Sequence, residues 1–251
     1  MSSKINQLLQ QWRPGTVGTL RWMQRRGVDR RLADKYLRSG WLERFGHGAY
    51  KRAGDTVDWA GAVYALQNQL DLDLHPGGMT AIELRGYAHY LAFGQRQVFL
   101  FGGPGTRLPA WFEGHRWSRP VTLVTTGVFS GNARTTSLLQ VDQVELDVAT
   151  LEQAAFEMVY LLPKRQSYEE AVQVVESITS PRPQLIQRLL ENCSSVKTKR
   201  LFMHAAERSK HPWLKRLDLS KVDFGSGRRT IHPGGRLDSK YDLVVDDPVQ
   251  A

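Results

Sequence analysis

Arg30, Arg31, Lys35 and Arg38 fall within nine residues, at spacings that put them along one side of a helix. Fixed cations in that pattern suit a polyanion. An arginine fork matches guanine edges and phosphates, while lysine acts on phosphate as a point charge. Arg21, Arg25 and Arg26 come just before them, and Arg44, His47, Lys51 and Arg52 just after. Residues 1–52 hold twelve Lys/Arg against three Asp/Glu, a net of +9, which equals the net charge of all 251 residues. Neutralising phosphates with such charges releases counterions and supplies most non-specific nucleic-acid affinity. A solvated tail would show the same count, so the hydrophobic spacing has to decide between the two.

That spacing is helical. Ile5, Leu8, Leu9 and Trp12 share a face, and Pro14-Gly15 ends the first helix. Thr16 or Thr19 caps a second helix running to about Arg26, with Val17, Leu20 and Met23 or Trp22 inward. Asp29 caps a third, to about Ser39, whose apolar face is Leu32, Ala33, Tyr36 and Leu37. Two strand-like runs follow, 41–45 and 49–52, joined at Gly46-His47-Gly48. Three short helices and a hairpin make a winged helix-turn-helix, whose third helix enters the major groove while the hairpin flanks the backbone or minor groove. The candidate DNA contacts are therefore Thr19, Arg21, Arg25, Arg26, Arg30, Arg31, Lys35, Arg38, Arg44, His47, Lys51 and Arg52.

Gly54-Asp55-Thr56 reads as a hinge. The expected fold is α+β (mixed): a winged helix-turn-helix over residues 1–54, then a larger mixed α/β domain over 55–251. In that second region VDWAGAVYALQNQL is helical, and LHPGGMTAIELRGYAHYL reads as a turn and then a helix capped by Thr80. QVFLFGG, VTLVTTGVF and VELDVAT read as strands, and LPAWF as a loop or short helix. Helices are expected over LEQAAFEMVYLLP, over 168–179 with Ser167 as cap, over 184–192 and over 196–209. The end of the chain alternates turns with short strands. Charge is uneven here too: residues 53–192 sum to −5, 193–240 to +8, and the last eleven to −3. Two basic stretches allow two polyanion contacts or one long one. Within the second, Lys197, Lys199 and Arg200 open a helix and are candidates for an anionic partner.

Catalytic patterns are missing. Gly102-Gly103-Pro104-Gly105 follows a strand but is interrupted by proline, with no G-x-x-x-x-G-K-[ST] or G-x-G-x-x-G. His75, His89, His115, His204, His211 and His232 are scattered without metal-ligand spacing. His75-Pro76-Gly77-Gly78 and His232-Pro233-Gly234-Gly235 both read as turns. Asp142, Glu145 and Asp147 alternate with valines and leucine as a solvated strand face. One cysteine, Cys193, leaves no internal disulfide and reads as a structural thiol. No run approaches a membrane span, and residues 1–14 hold no signal-peptide core. The expectation is a cytosolic protein that is not an enzyme and has no cofactor and no metal.

The strings GWLERFGHGAYKR, WAGAVYALQNQL, HPGGMTAIELRGYAHYL, SVKTKRLFMHAAERSKHPW, FGSGRRTI and GGRLDSKYDLVV, in this order, resemble the AbiEi-type antitoxins of type IV toxin–antitoxin (abortive-infection) systems. The resemblance covers nearly the whole chain, and HPGGMTAIELRGYAHYL and SVKTKRLF are its most specific parts. It implies a bacterial, cytoplasmic, two-domain protein. The N-terminal domain would bind inverted repeats in its own promoter and repress transcription. The C-terminal domain would oppose a nucleotidyltransferase toxin without forming a stable complex with it. A monomer that pairs on DNA follows, because one such module reads a short site. Two other readings stand beside this one: an enzyme acting on nucleic acid and targeted by the winged helix, and a module that docks directly on the toxin.

Overall fold

The computed structural model describes residues 3–87, 97–129 and 134–245. The chain forms two compact units, and neither is continuous in sequence. The first takes residues 1–75, 95–125 and 137–148; the second takes the rest. Gly54 falls inside the first unit.

In the first unit, α1 (Lys4–Gln11) begins at Ser3, whose side chain accepts the Asn6 N–H. The two-residue strand β1 (Gly18–Thr19) leads into α2 (Leu20–Gln24), capped by Thr19. Next comes α3 (Arg30–Arg38), capped by Asp29, whose Oδ1 accepts the Leu32 N–H at 2.8 Å. Strands β2 (Leu42–Gly46) and β3 (Ala49–Arg52) form an antiparallel hairpin, and β1 pairs with the far side of β3. The core of this portion is Ile5, Leu8, Trp12, Trp22, Met23, Val28, Ala33, Tyr36, Leu42 and Tyr50. Trp12 and Trp22 meet edge to face at 5.3 Å. The expected helices, caps and hairpin are all present; β1 is an addition, too short to show a period.

The segment after the hairpin is pinned where a hinge was expected. Asp55 Oδ2 accepts the Gly15 N–H at 2.9 Å, and Glu43 accepts the Gly54 N–H. Helix α4 (Trp59–Asn68) then lies against the Gly15 backbone, so close that a Cβ on Gly61 would stand 1.9 Å from the Gly15 carbonyl oxygen. At its end Gln69, 2 % exposed, accepts the Thr19 N–H at 2.8 Å and donates to the Val17 carbonyl at 2.7 Å. A strand β4 (Leu74–Pro76) follows. It adjoins β5 (Val98–Gly102), which runs parallel to β6 (Val121–Thr125). Strands β7 (Thr136–Val141) and β8 (Val144–Ala149) make a separate pair. Asp142 sits in the turn between them at φ 50°, not on the strand face expected of it.

In the second unit α5 (Gly78–Leu84) starts at Gly77, so Thr80 is a buried residue inside the helix and not its cap. The 75–78 string is likewise the end of β4 and the start of α5, not a free turn. The expected continuation over 88–91, with His89, lies outside the described residues. Helix α7 (Leu151–Tyr160) packs against α5, α8 (Tyr168–Ser177), α9 (Pro183–Asn192) and α10 (Val196–Arg208). Phe156 stacks on Phe202 at 3.9 Å at its centre. Buried Glu152 is clasped by Arg182 through the backbone N–H, Nε and Nη2. Burial raises that carboxyl, and the Arg182 hydrogen bonds outweigh it, leaving Glu152 below its ordinary value. Short strands β9 (Arg229–Thr230), β10 (Arg236–Asp238) and β11 (Leu243–Val245) close the chain. Among the described residues no helix is long and apolar enough to cross a membrane.

Candidate nucleic-acid interface

Helix α3 divides cleanly. Ala33 and Tyr36 are buried, and Leu32 and Leu37 are half-buried, so Arg30, Arg31, Lys35 and Arg38 stand on the solvent side. These four make no ion pair or side-chain hydrogen bond among the described residues. Lys35 and Arg38 also sit in the last turn, where the helix dipole favours cations. Arg31, Lys35 and Arg38 line an open groove of about 330 Å³ together with Lys4 of α1. Sequence reasoning counted Lys4 only in the net charge; nothing in its spacing announced that α1 would bring it beside α3.

Most of the remaining expected contacts are bonded within the protein, and several of these, Arg25, Arg26 and Arg44, are also exposed. Arg21 on α2 is exposed, and so is His47 at the tip of the hairpin. Thr19 is 2 % exposed and serves as the α2 cap, accepting the Trp22 N–H at 3.2 Å. Arg25 donates to the Gln69 carbonyl and lies 3.6 Å from Asp71. Arg26 donates to Gln11 at 2.9 Å and covers the Trp22 ring at 4.2 Å. Burial and the neighbouring Arg25 both lower its guanidinium. Arg44 stands 3.6 Å from Asp34 and lies over Tyr50. Lys51 reaches Glu43 at 2.8 Å and the Asp55 carbonyl at 2.7 Å, and Arg52 reaches the Trp12 carbonyl at 3.3 Å. The Lys51 and Gly54 hydrogen bonds hold Glu43 below its ordinary value. These cations tie the hairpin and α2 to the rest of the unit.

The hairpin is supported from a second direction. Phe45 meets Trp111 at 6.0 Å, stacks on His115 at 4.4 Å and meets Trp117 at 6.0 Å. At Gly46 an added Cβ would fall 2.6 Å from the Trp111 Cβ, so only glycine fits. Trp111 belongs to α6 (Ala110–Glu113), the short helix expected as a loop or helix at LPAWF. Burial lowers the His115 imidazole, against the pull of Asp58. The signal for this buttress was present as Trp111, Phe112, His115 and Trp117 within seven residues. Composition alone does not say what such a cluster packs on.

Near the C-terminus the three candidate cations are turned inward. Lys197 Nζ donates to the Tyr160 carbonyl at 3.2 Å and the Leu162 carbonyl at 2.6 Å, and burial lowers its ammonium. Lys199 is 5 % exposed. Arg200, 4 % exposed, directs Nε, Nη1 and Nη2 to the carbonyls of Phe224, Gly227 and Gly225. Lys210, Lys215, Arg216, Lys221, Arg228, Arg236 and Lys240 are exposed cations of that stretch. His204 Nδ1 and Asp238 Oδ2 lie 2.7 Å apart beside a cavity of about 360 Å³ that Arg208, Arg236 and Lys240 also line. The sequence, in which the histidines look scattered, did not bring that pair together. Among the described residues no cluster of ligands could hold a metal ion.

Two family models match the chain. One, described as a transcriptional regulator, AbiEi antitoxin N-terminal domain, matches residues 1–93. The other, described as a transcriptional regulator and AbiEi antitoxin of a type IV toxin–antitoxin system, matches residues 95–246. The chain belongs to the AbiEi antitoxin family.

No curated protein matches this AbiEi-family chain. A solved structure, that of the RV2827C protein from Mycobacterium tuberculosis, is similar in fold over 96 % of this chain and 89 % of that one, at a TM-score of 0.63 and 16 % identity. Family membership makes the chain an antitoxin and transcriptional regulator. The residues of its first compact unit come from both matched regions, since 95–125 and 137–148 join 1–75.

Proposed function

We propose that this AbiEi-family chain represses its own promoter by binding inverted repeats in duplex DNA, and that it counteracts a nucleotidyltransferase toxin. The observation that carries the DNA reading is the set of four cations on α3, exposed and without side-chain partners among the described residues, opposite a buried Ala33–Tyr36 face. Arg30, Arg31, Lys35 and Arg38 then meet base edges and phosphates, with Lys4, Arg21 and His47 on the backbone. Arg25, Arg26, Arg44, Lys51 and Arg52 hold the reader in shape. Two monomers pair on the repeat, as expected where one module reads only a short site.

Residues 55–251 carry the antitoxin role in this reading, without enzymatic turnover and without a stable toxin complex. Lys197 and Arg200 support that role from inside, by fixing the loops whose carbonyls they bind. The protein works in the bacterial cytoplasm, at promoter DNA. The test is a salt-titrated binding measurement on the DNA upstream of the gene. The Arg31→Ala/Lys35→Ala double variant should flatten the slope of log K against log salt by about two, one for each phosphate contact. An unchanged slope and affinity would remove α3 as the reader.

A further inference from the structure

We propose that Arg116 is a further phosphate contact, placed on the duplex by the aromatic buttress behind the hairpin. The inference rests on the DNA-binding reading above and extends its footprint to a residue outside the 1–54 region.

Arg116 is held from both sides. His115 before it lies between Phe45 at 4.4 Å and Trp117 at 4.3 Å. Trp117 after it packs on Phe112 at 4.7 Å and donates its indole N–H to the Phe112 carbonyl at 3.1 Å. Ser118 then donates its hydroxyl to Asp58 at 2.6 Å. The backbone around Arg116 is therefore anchored to β2, α6 and the start of α4. Its own side chain is exposed and makes no ion pair or hydrogen bond among the described residues. Asp58, the nearby acid on α4's cap, is already engaged by Ser118. Glu113 is the other exposed acid of the segment, three residues earlier.

Its position fits a backbone contact. Phe45, on which His115 stacks, is two residues from His47 at the exposed hairpin tip. If the tip lies along the duplex, the flexible arginine next to His115 is within reach of the same strand. A cation on a pre-ordered backbone loses less freedom on binding than one on a mobile loop. The contact would add affinity without sequence preference, as phosphate contacts do.

The experiment uses the full-length protein and fluorescence anisotropy on the upstream DNA between 50 and 200 mM salt. Arg116→Ala should bind more weakly, with a deficit about 3.5-fold larger at 50 mM than at 200 mM, the change expected for one lost phosphate contact. Preference for the upstream DNA over scrambled duplex should stay the same, and Arg116→Lys should bind nearly as well as the unaltered protein. If Arg116→Ala keeps the unaltered slope while Arg31→Ala flattens it, DNA binding stands and Arg116 is off the DNA. A lysine variant as weak as the alanine one also overturns the proposal, because a phosphate contact needs only the charge. If the unaltered protein does not prefer its upstream DNA, the DNA reading falls and this inference with it.

Discussion

Replacing Gln69 with leucine should unfasten the start of α2. The Gln69 amide is 2 % exposed and closes two hydrogen bonds, to the Thr19 N–H at 2.8 Å and the Val17 carbonyl at 2.7 Å. Val17 is fully buried and Thr19 nearly so. Leucine has a similar volume and no polar atom, so a backbone donor and an acceptor are left buried without partners. Each costs about 1–3 kcal/mol, which puts the expected loss near 3 kcal/mol, or about a hundredfold in the folding constant. The assay is a urea titration followed by tryptophan fluorescence, with Trp12 and Trp22 reporting from the same unit. With a slope of about 2 kcal/mol per M, the midpoint should fall by roughly 1–2 M. Asn68→Leu is the control: Asn68 is exposed and, among the described residues, its side chain bonds only the Tyr64 carbonyl of its own helix, so a change within about 0.5 kcal/mol is expected. A Gln69→Leu shift no larger than the control's would refute the latch. For the same reason a chain ending at residue 54 should fold poorly, since it lacks Gln69, α4 and the aromatic support of the hairpin.

Cys193 should resist alkylation in the folded protein at pH 7–8 and react once the chain is unfolded, because burial pushes its thiol up to about 11. Glu152→Gln should flatten the acid limb of the stability curve. The folded carboxyl lies below the unfolded value of about 4.3, so its stabilisation is complete above that pH and lost as the pH falls through the folded value. The unaltered and variant proteins should then converge in stability at low pH; a gap that stays constant would refute the linkage. Arg200→Lys should lower stability by about 2–4 kcal/mol, and the melting temperature by roughly 5–10 °C, because one ammonium cannot reach three carbonyls set around a planar fork. A shift under about 2 °C would show those carbonyls are satisfied by water instead.

Local periodicity made the N-terminal elements readable. Ile5, Leu8 and Trp12 mark α1, Asp29 marks the start of α3, and Gly46-His47-Gly48 marks the hairpin. The exposed cations of α3 follow from its buried face, which the spacing of Leu32, Ala33, Tyr36 and Leu37 already shows. Long-range partners were not readable. Nothing in the sequence pairs Gln69 with Val17 and Thr19, fifty residues away, or Phe45 with His115. Charge was the most misleading signal. Lys197 and Arg200 count toward a basic stretch yet lie inside, because backbone carbonyls of distant loops can satisfy a cation as well as solvent can. The same limit applies to Arg25, Lys51 and Arg52, whose carbonyl partners no charge count reveals.

The measurement that tests the account most directly is a salt-titrated gel shift of the full-length protein on the DNA upstream of its own gene, beside scrambled duplex of equal length. Binding should be tight, depend on an inverted repeat and weaken steeply with salt, with the repeat preference lost when Arg30, Arg31, Lys35 and Arg38 are all replaced by alanine. Equal affinity for the two duplexes, or a repeat preference that survives the fourfold replacement, would contradict that account.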